Sequence, residues 1–173
     1  MDLVLSSLLV LAAQGGQSAA QPPPPANCDS AGHRQFDFWV GKWDVYRSDT
    51  NQLVARSLIE KLYGGCAVRE NWMPINGFGA GGSLNSYRPE EKRWRQVYTG
   101  AGNGWADYVG GMDGDAMVIV GTQFMPNGKK TPVRITYKRG EAGSVLQISE
   151  QSSDGGKTWK LNYHFTYRPA KMN

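Results

Sequence analysis

The stretch S-S-D-G-G-K-T-W, Ser152 to Trp159, decides which all-β architecture this chain can form. Read as S-x-D-x-G-x-T-W, it matches the Asp-box hairpin, which recurs about once per blade in β-propellers. A propeller needs several blades of about four strands each. Here the motif occurs once, and 173 residues leave room for too few blades. What remains is local physics. Gly155 and Gly156 can take positive φ without a steric penalty. Asp154 can accept hydrogen bonds from the backbone of its own turn. Trp159 can fold back over the hairpin. The stretch is therefore read as a clasp between the last two strands of a simpler β-fold.

Outward from that hairpin the punctuation is regular. Turn clusters stand at Ser48–Gln52, Gly64-Gly65, Asn76–Gly82, Pro89–Lys92, Gly100–Gly104, Asp113–Asp115, Pro126–Lys130, Gly140–Gly143 and Ser153–Gly156. The segments between them are rich in Val, Ile, Tyr, Trp and Thr and often alternate apolar with polar, as half-buried strands do. No segment sustains a helical period, except that His33–Val40 is compatible with one short helical turn before the first strand. Nine turns imply ten strands. Short connections join spatial neighbours, which predicts an up-and-down antiparallel meander. An open meander would expose two edges, so closure into a barrel is expected, wide enough for a small ligand if its interior is not filled. A sandwich is the alternative, but it normally needs longer crossovers than this chain offers.

The composition agrees with a β-rich domain: 22 glycines, 11% aromatic residues and a formal charge of +4. Lys and Arg are scattered, which argues against nucleic-acid binding. Residues 1–20 read as a secretory signal peptide. An apolar run from Leu3 to Ala13 precedes the small residues Ser18-Ala19-Ala20, although no basic residue stands before the run. A bilayer span takes about 20 apolar residues, so no stable membrane insertion is expected after signal removal. Residues 21–32 form a Pro-rich linker opening on Q-P-P-P-P, and residues 33–173 the barrel domain. An exported chain, periplasmic or extracellular, reads its two cysteines, Cys28 and Cys66, as one disulfide, with two buried free thiols as the alternative. Two cysteines and two histidines leave little for a structural zinc site. G-F-G-A-G-G, Gly77 to Gly82, fits a dinucleotide fingerprint by letter, but a strand pattern follows where that fold needs a helix. It is read as a flexible loop, suited to the lid of a barrel mouth.

F-D-F-W-V-G-K-W-D-V, Phe36 to Val45, resembles the start of lipocalin-like barrels, with Gly41-Lys42-Trp43 in the place of their G-x-W signature. G-C-A-V-R-E-N-W (65–72), S-L-N-S-Y (83–87), W-R-Q-V-Y (94–98), M-V-I-V-G (117–121) and the Ser152–Trp159 clasp follow in order. Together they resemble an uncharacterised family of exported bacterial proteins with a lipocalin-like, calycin-type barrel. The resemblance covers the chain from about residue 30 onward and implies the fold more than a function. It also implies that an Arg near the end of the last strand, here Arg168, stacks on Trp43.

Alternation along strands groups Val68, Glu70 and Trp72 on one face, Ser83, Asn85 and Tyr87 on another, and Trp94, Gln96 and Tyr98 on a third. Polar groups set among aromatics suit a ligand-binding lumen. An inward Glu70 needs a partner, for which Arg134 and Arg69 are the plausible types. Glu150, beside Leu146 and Ile148, poses the same problem. The candidate ligand-binding residues are thus Glu70, Trp72, Ser83, Asn85, Tyr87, Trp94, Gln96, Tyr98, Arg134 and Glu150.

The last strand, W-K-L-N-Y-H-F-T-Y, puts Trp159, Leu161, Tyr163, Phe165 and Tyr167 on an apolar face and His164 on the other. An inward Arg168 would then require a bulge. The leading expectation is a secreted barrel that holds a partly apolar small molecule, with no cofactor and no catalytic group. One alternative is a haem-binding, nitrobindin-like barrel with His164 as axial ligand. Others are a carboxylate enzyme using Glu70 with Glu150 and a filled structural barrel.

Overall fold

The computed structural model describes residues 28–125 and 127–170. The expected signal peptide and the proline run lie outside them. Ten strands follow in chain order: β1 Gly41–Arg47, β2 Leu53–Leu62, β3 Ala67–Pro74, β4 Gly81–Arg88, β5 Arg93–Gly100, β6 Gly104–Asp113, β7 Ala116–Phe124, β8 Lys130–Arg139, β9 Val145–Gln151 and β10 Lys160–Pro169. Each pairs antiparallel with its chain neighbour, and β10 returns to β1, closing the barrel. All nine turn clusters read from the sequence fall between consecutive strands. Closure leaves no unpaired edge.

The up-and-down order sends alternate turns to opposite ends. One end, the floor, is plugged by the segment before β1. A turn-rich stretch leads into a 3-10 turn at Asp37–Trp39, where the helical turn was expected. Phe36 and Trp39 are fully buried there. Phe36 stacks on Trp94 at 5.3 Å and meets Tyr137 edge-on at 5.3 Å. Trp39 lies against Tyr137 and Tyr167. Aromatic rings bury large apolar areas and gain further from such offset contacts, so the plug is part of the core. Covalent and polar ties hold it. Cys28 and Cys66 form a disulfide across 38 residues of sequence. Lys61 Nζ bonds Asp37 Oδ1 at 2.7 Å, and Trp43 Nε1 donates to the Trp39 carbonyl at 2.9 Å. Gly32 sits so close to the Tyr87 ring that a Cβ there would fall 2.2 Å from it.

The Ser152–Trp159 clasp forms as its residues dictate. Gly155 and Gly156 have φ of 75° and 94°. Asp154 Oδ1 accepts from the Lys157 and Thr158 backbone N–H groups at 3.0 and 2.9 Å, and Oδ2 from Thr158 Oγ1 at 2.6 Å. These donors hold the Asp154 carboxyl well below its ordinary value. The Trp159 ring lies back against Gly156.

Two expectations for β10 are corrected. Its register shifts between Leu161 and Tyr163, a bulge at the mouth end. Leu161 is consequently turned outward and 67% exposed, while Tyr163, Phe165 and Tyr167 stay on the lumen side. The bulge does not bring Arg168 inward either. Arg168 pairs across from Asp44, packs its guanidinium 4.4 Å from the Tyr46 ring and donates to Asn51 Oδ1 at 2.7 Å, all on the outer surface. Trp43 is covered instead by the edge of Tyr167 and by the plug it bonds to.

Candidate functional site

Above the plug the lumen is open. A cavity of about 220 Å³ is lined by Glu70, Trp72, Gln96, Tyr98, Tyr108, Gln123, Ile135, Tyr137, Gln147, Tyr163, Phe165 and Tyr167. Its aromatic wall lies toward the mouth. Trp72 stacks on Phe165 at 5.6 Å and Phe165 on Tyr163 at 4.5 Å. These rings come from β3 and β10, which are separated around the barrel by β2 and β1. The small Val45 and Ala55, both fully buried, line the two intervening strands.

Below the rings a closed circuit of hydrogen bonds girdles the lumen. Ser83 Oγ donates to Glu70 Oε2 at 3.2 Å, and Tyr167 Oη lies 3.3 Å from Glu70 Oε1 and 2.8 Å from Gln147 Oε1. Gln147 Nε2 donates to Tyr137 Oη at 3.0 Å, and Gln96 Nε2 lies 3.4 Å from the same oxygen. Gln96 Nε2 also donates to Asn85 Oδ1 at 2.6 Å, and Asn85 Nδ2 to Ser83 Oγ at 3.0 Å, which returns to Glu70. Ser57 Oγ adds a third hydroxyl to Glu70, at 3.3 Å from Oε1. The network lets polar side chains sit inside a barrel, because each finds a partner.

Glu70 is the chemically distinctive member. Among the described residues it is the one buried acidic side chain. Burial pushes its carboxyl up from 4.5 to about 7, against the opposing pull of the Ser83, Tyr167 and Ser57 hydroxyls. Neither Arg134 nor Arg69 reaches it. Arg69 pairs with Glu60 at 2.5 Å on the outside. Arg134 and Glu150 are also outside, bonded to each other at 2.8 Å with the Arg134 guanidinium 4.8 Å from the Trp159 ring. The expected lumen positions of Arg134 and Glu150 are therefore corrected. On β9 the inward set is Val145, Gln147 and Ser149, and the apolar Leu146 and Ile148 face out with Glu150. The tyrosines share Glu70's low-dielectric surroundings. Burial and the Glu70 charge push the Tyr98 phenol to about 12, and burial raises Tyr108, Tyr137, Tyr163 and Tyr167 further. At neutral pH all five are O–H groups.

Of the other candidates, Trp72, Gln96 and Tyr98 line the cavity and Ser83 and Asn85 belong to the circuit behind Glu70. Tyr87 and Trp94 lie at the floor, against His33 and Phe36, and Trp94 Nε1 donates to Gln35 Oε1 at 3.1 Å. His164 faces outward beside Ser48 and Lys138, where burial and the Lys138 charge lower its pKa. The cavity residues Tyr108, Gln123, Ile135, Tyr137 and Gln147 were not singled out from the sequence. Tyr137 shares an alternating face with Val133 and Ile135, which was the available signal.

The mouth is rimmed by exposed apolar side chains, Ile75 and Phe78 from the β3–β4 loop with Trp105, Met125 and Leu161. Phe78 is 83% exposed and caps nothing, so the glycine-rich loop stands at the mouth without closing it. No protein-family model matches the chain, and no curated protein matches it either. The barrel itself is consistent with the lipocalin-like architecture that the G-x-W segment resembles.

Proposed function

We propose that this is an exported binding protein that holds a small, partly apolar molecule in its lumen and performs no chemistry on it. The observation that carries the reading is the cavity of about 220 Å³ with aromatic walls and one polar circuit at its base. Ligand sites have this composition, and the volume is below the roughly 300–1,000 Å³ of drug-sized pockets. The ligand is correspondingly small. The disulfide is in keeping with an oxidising compartment, as is the resemblance to exported barrels.

The rival readings lose their residues. A lumen haem would need an axial ligand, and His164 is on the outer face. A two-carboxylate enzyme needs both groups in one pocket, whereas Glu150 is bonded to Arg134 outside. A filled barrel is at odds with the open volume.

The test is native mass spectrometry of protein recovered from an oxidising compartment. A co-purifying small-molecule adduct that is lost in Trp72→Ala supports the binding reading and gives the ligand's mass. An adduct that persists in that variant places the ligand elsewhere and overturns it.

A further inference from the structure

The cavity lining contains one carboxyl group, seven aromatic side chains counted from Trp72, Phe165 and the five tyrosines, and no Lys, Arg or His. This is an asymmetric set. Outside the barrel, carboxylates find cations: Asp37 with Lys61, Asp44 with Arg56, Glu60 with Arg69, Asp107 with Arg95 and Glu150 with Arg134. Inside, Glu70 has hydroxyls alone, at 3.2–3.3 Å. An O–H group on an ionised carboxylate normally closes to about 2.5–2.7 Å. The three contacts are long for a charged acceptor, so the hydroxyls alone leave the ionised form of Glu70 under-compensated. A buried charge without a partner is costly, and the missing partner is positive.

The walls are suited to supply the rest of that recognition. The faces of Trp, Tyr and Phe rings attract a cation through their quadrupoles, most strongly where water is excluded, which is how alkylammonium groups are held in aromatic cages. Here Trp72 and Tyr163, each stacked on Phe165, line with Tyr98 and Tyr108 the same cavity as Glu70. An anion would meet Glu70 with no cation to offset it. Resting on the lumen-binding reading, we infer that the ligand is a small organic cation, an amine or quaternary ammonium with a short apolar body, whose positive centre lies among the aromatic rings and faces the Glu70 carboxylate.

Choline and 3,3-dimethylbutan-1-ol test this directly, because they have the same shape and differ in charge. Binding to the mature, disulfide-bonded protein would be followed by calorimetry at pH 8.0 and pH 5.5, in buffers of different ionisation enthalpy. The expected result is that choline binds at least tenfold more tightly than the alcohol at pH 8.0. It should also weaken at pH 5.5 and displace a proton there, as Glu70 gives up its hydrogen to take the cation. Glu70→Gln should abolish the preference for choline. Should that variant fold poorly, Trp72→Leu, which keeps the carboxyl group and removes one ring, is expected to weaken choline several-fold and to leave the alcohol little changed. If the alcohol binds as well as choline, or best at pH 5.5, the cation inference falls while lumen binding stands. If neither probe binds and no adduct co-purifies, both fall together.

Discussion

Tyr167 stands between Glu70 and Gln147 with one hydrogen to give, its hydroxyl 3.3 Å from the first acceptor and 2.8 Å from the second. A phenol donates once. When Glu70 is ionised, carboxylate and amide oxygen compete for that hydrogen. When Glu70 is protonated, it can donate to Tyr167, which donates to Gln147, and all three are satisfied. Burial, the larger effect, favours the neutral acid, while the hydroxyls that reach Glu70, Tyr167 among them, favour the ionised form.

The pH dependence of stability follows. Glu70 is raised from 4.5 to about 7, so the native protein keeps a proton that the unfolded chain releases in that interval. The native state then binds more protons than the unfolded one, and stability falls as pH rises. This contribution is fully present below pH 4.5 and is lost as pH passes through about 7, with a total of roughly 3 kcal/mol. Urea unfolding at pH 5 and pH 8 should show it as a slope that Glu70→Gln flattens. Parallel slopes in the two proteins would show that Glu70 is not raised.

Tyr167→Phe removes the shared hydroxyl, which leaves the buried Gln147 Oε1 without its donor and Glu70 Oε1 with Ser57 alone. Leaving buried polar groups unsatisfied costs about 1–3 kcal/mol, so the variant should unfold at lower denaturant. It should also raise Glu70 further, since Tyr167 is one of the groups that favour the ionised form. A carbon-13 titration of the Glu70 carboxyl reads the second effect independently of the first.

The Cys28–Cys66 bond closes a loop of 38 residues, worth roughly 4 kcal/mol in the chain-entropy account. Cys28→Ser with Cys66→Ser should lower the melting temperature, and hydrogen exchange should accelerate first around Phe36 and Trp39, the residues it anchors. Uniform acceleration across the barrel would mean that the plug is not a separate unit.

Phe36→Ala deletes a fully buried ring that touches Trp94 and Tyr137. The expected loss is about 3–5 kcal/mol, measured by chemical denaturation. Arg134→Ala is the contrasting case. Its pair with Glu150 is partly exposed, so the cost should be below about 1 kcal/mol and ligand binding should not change. A binding defect in Arg134→Ala would contradict its outward placement.

The turns were legible because glycine, proline and asparagine punctuate a chain wherever it must reverse, and short connections then force neighbours to pair. The faces of β3 and β5 were legible too, since Trp72, Trp94 and Tyr98 are too large to leave in water. Alternation failed on β9 and β10 for physical reasons. On β9 Gln147 joins the circuit and Ser149 is buried while Leu146 and Ile148 face out, which inverts the usual meaning of apolar. On β10 one extra residue near Asn162 changes the phase, so that Leu161 and Tyr163 do not share a face. Arg134 and Glu150 were misplaced because a period of two says which residues are together, not which side is inside. The plug could not be read at all as a plug: Phe36 and Trp39 belong to a turn whose position depends on the disulfide and on Gly32.

That plug gives the lumen a dead end. A molecule inside has no through-route, so whatever enters past Phe78 and Trp105 must leave against the same rim. How long it stays is then a property of the mouth, and changes to the β3–β4 loop should alter exchange rates while leaving equilibrium affinity nearly constant.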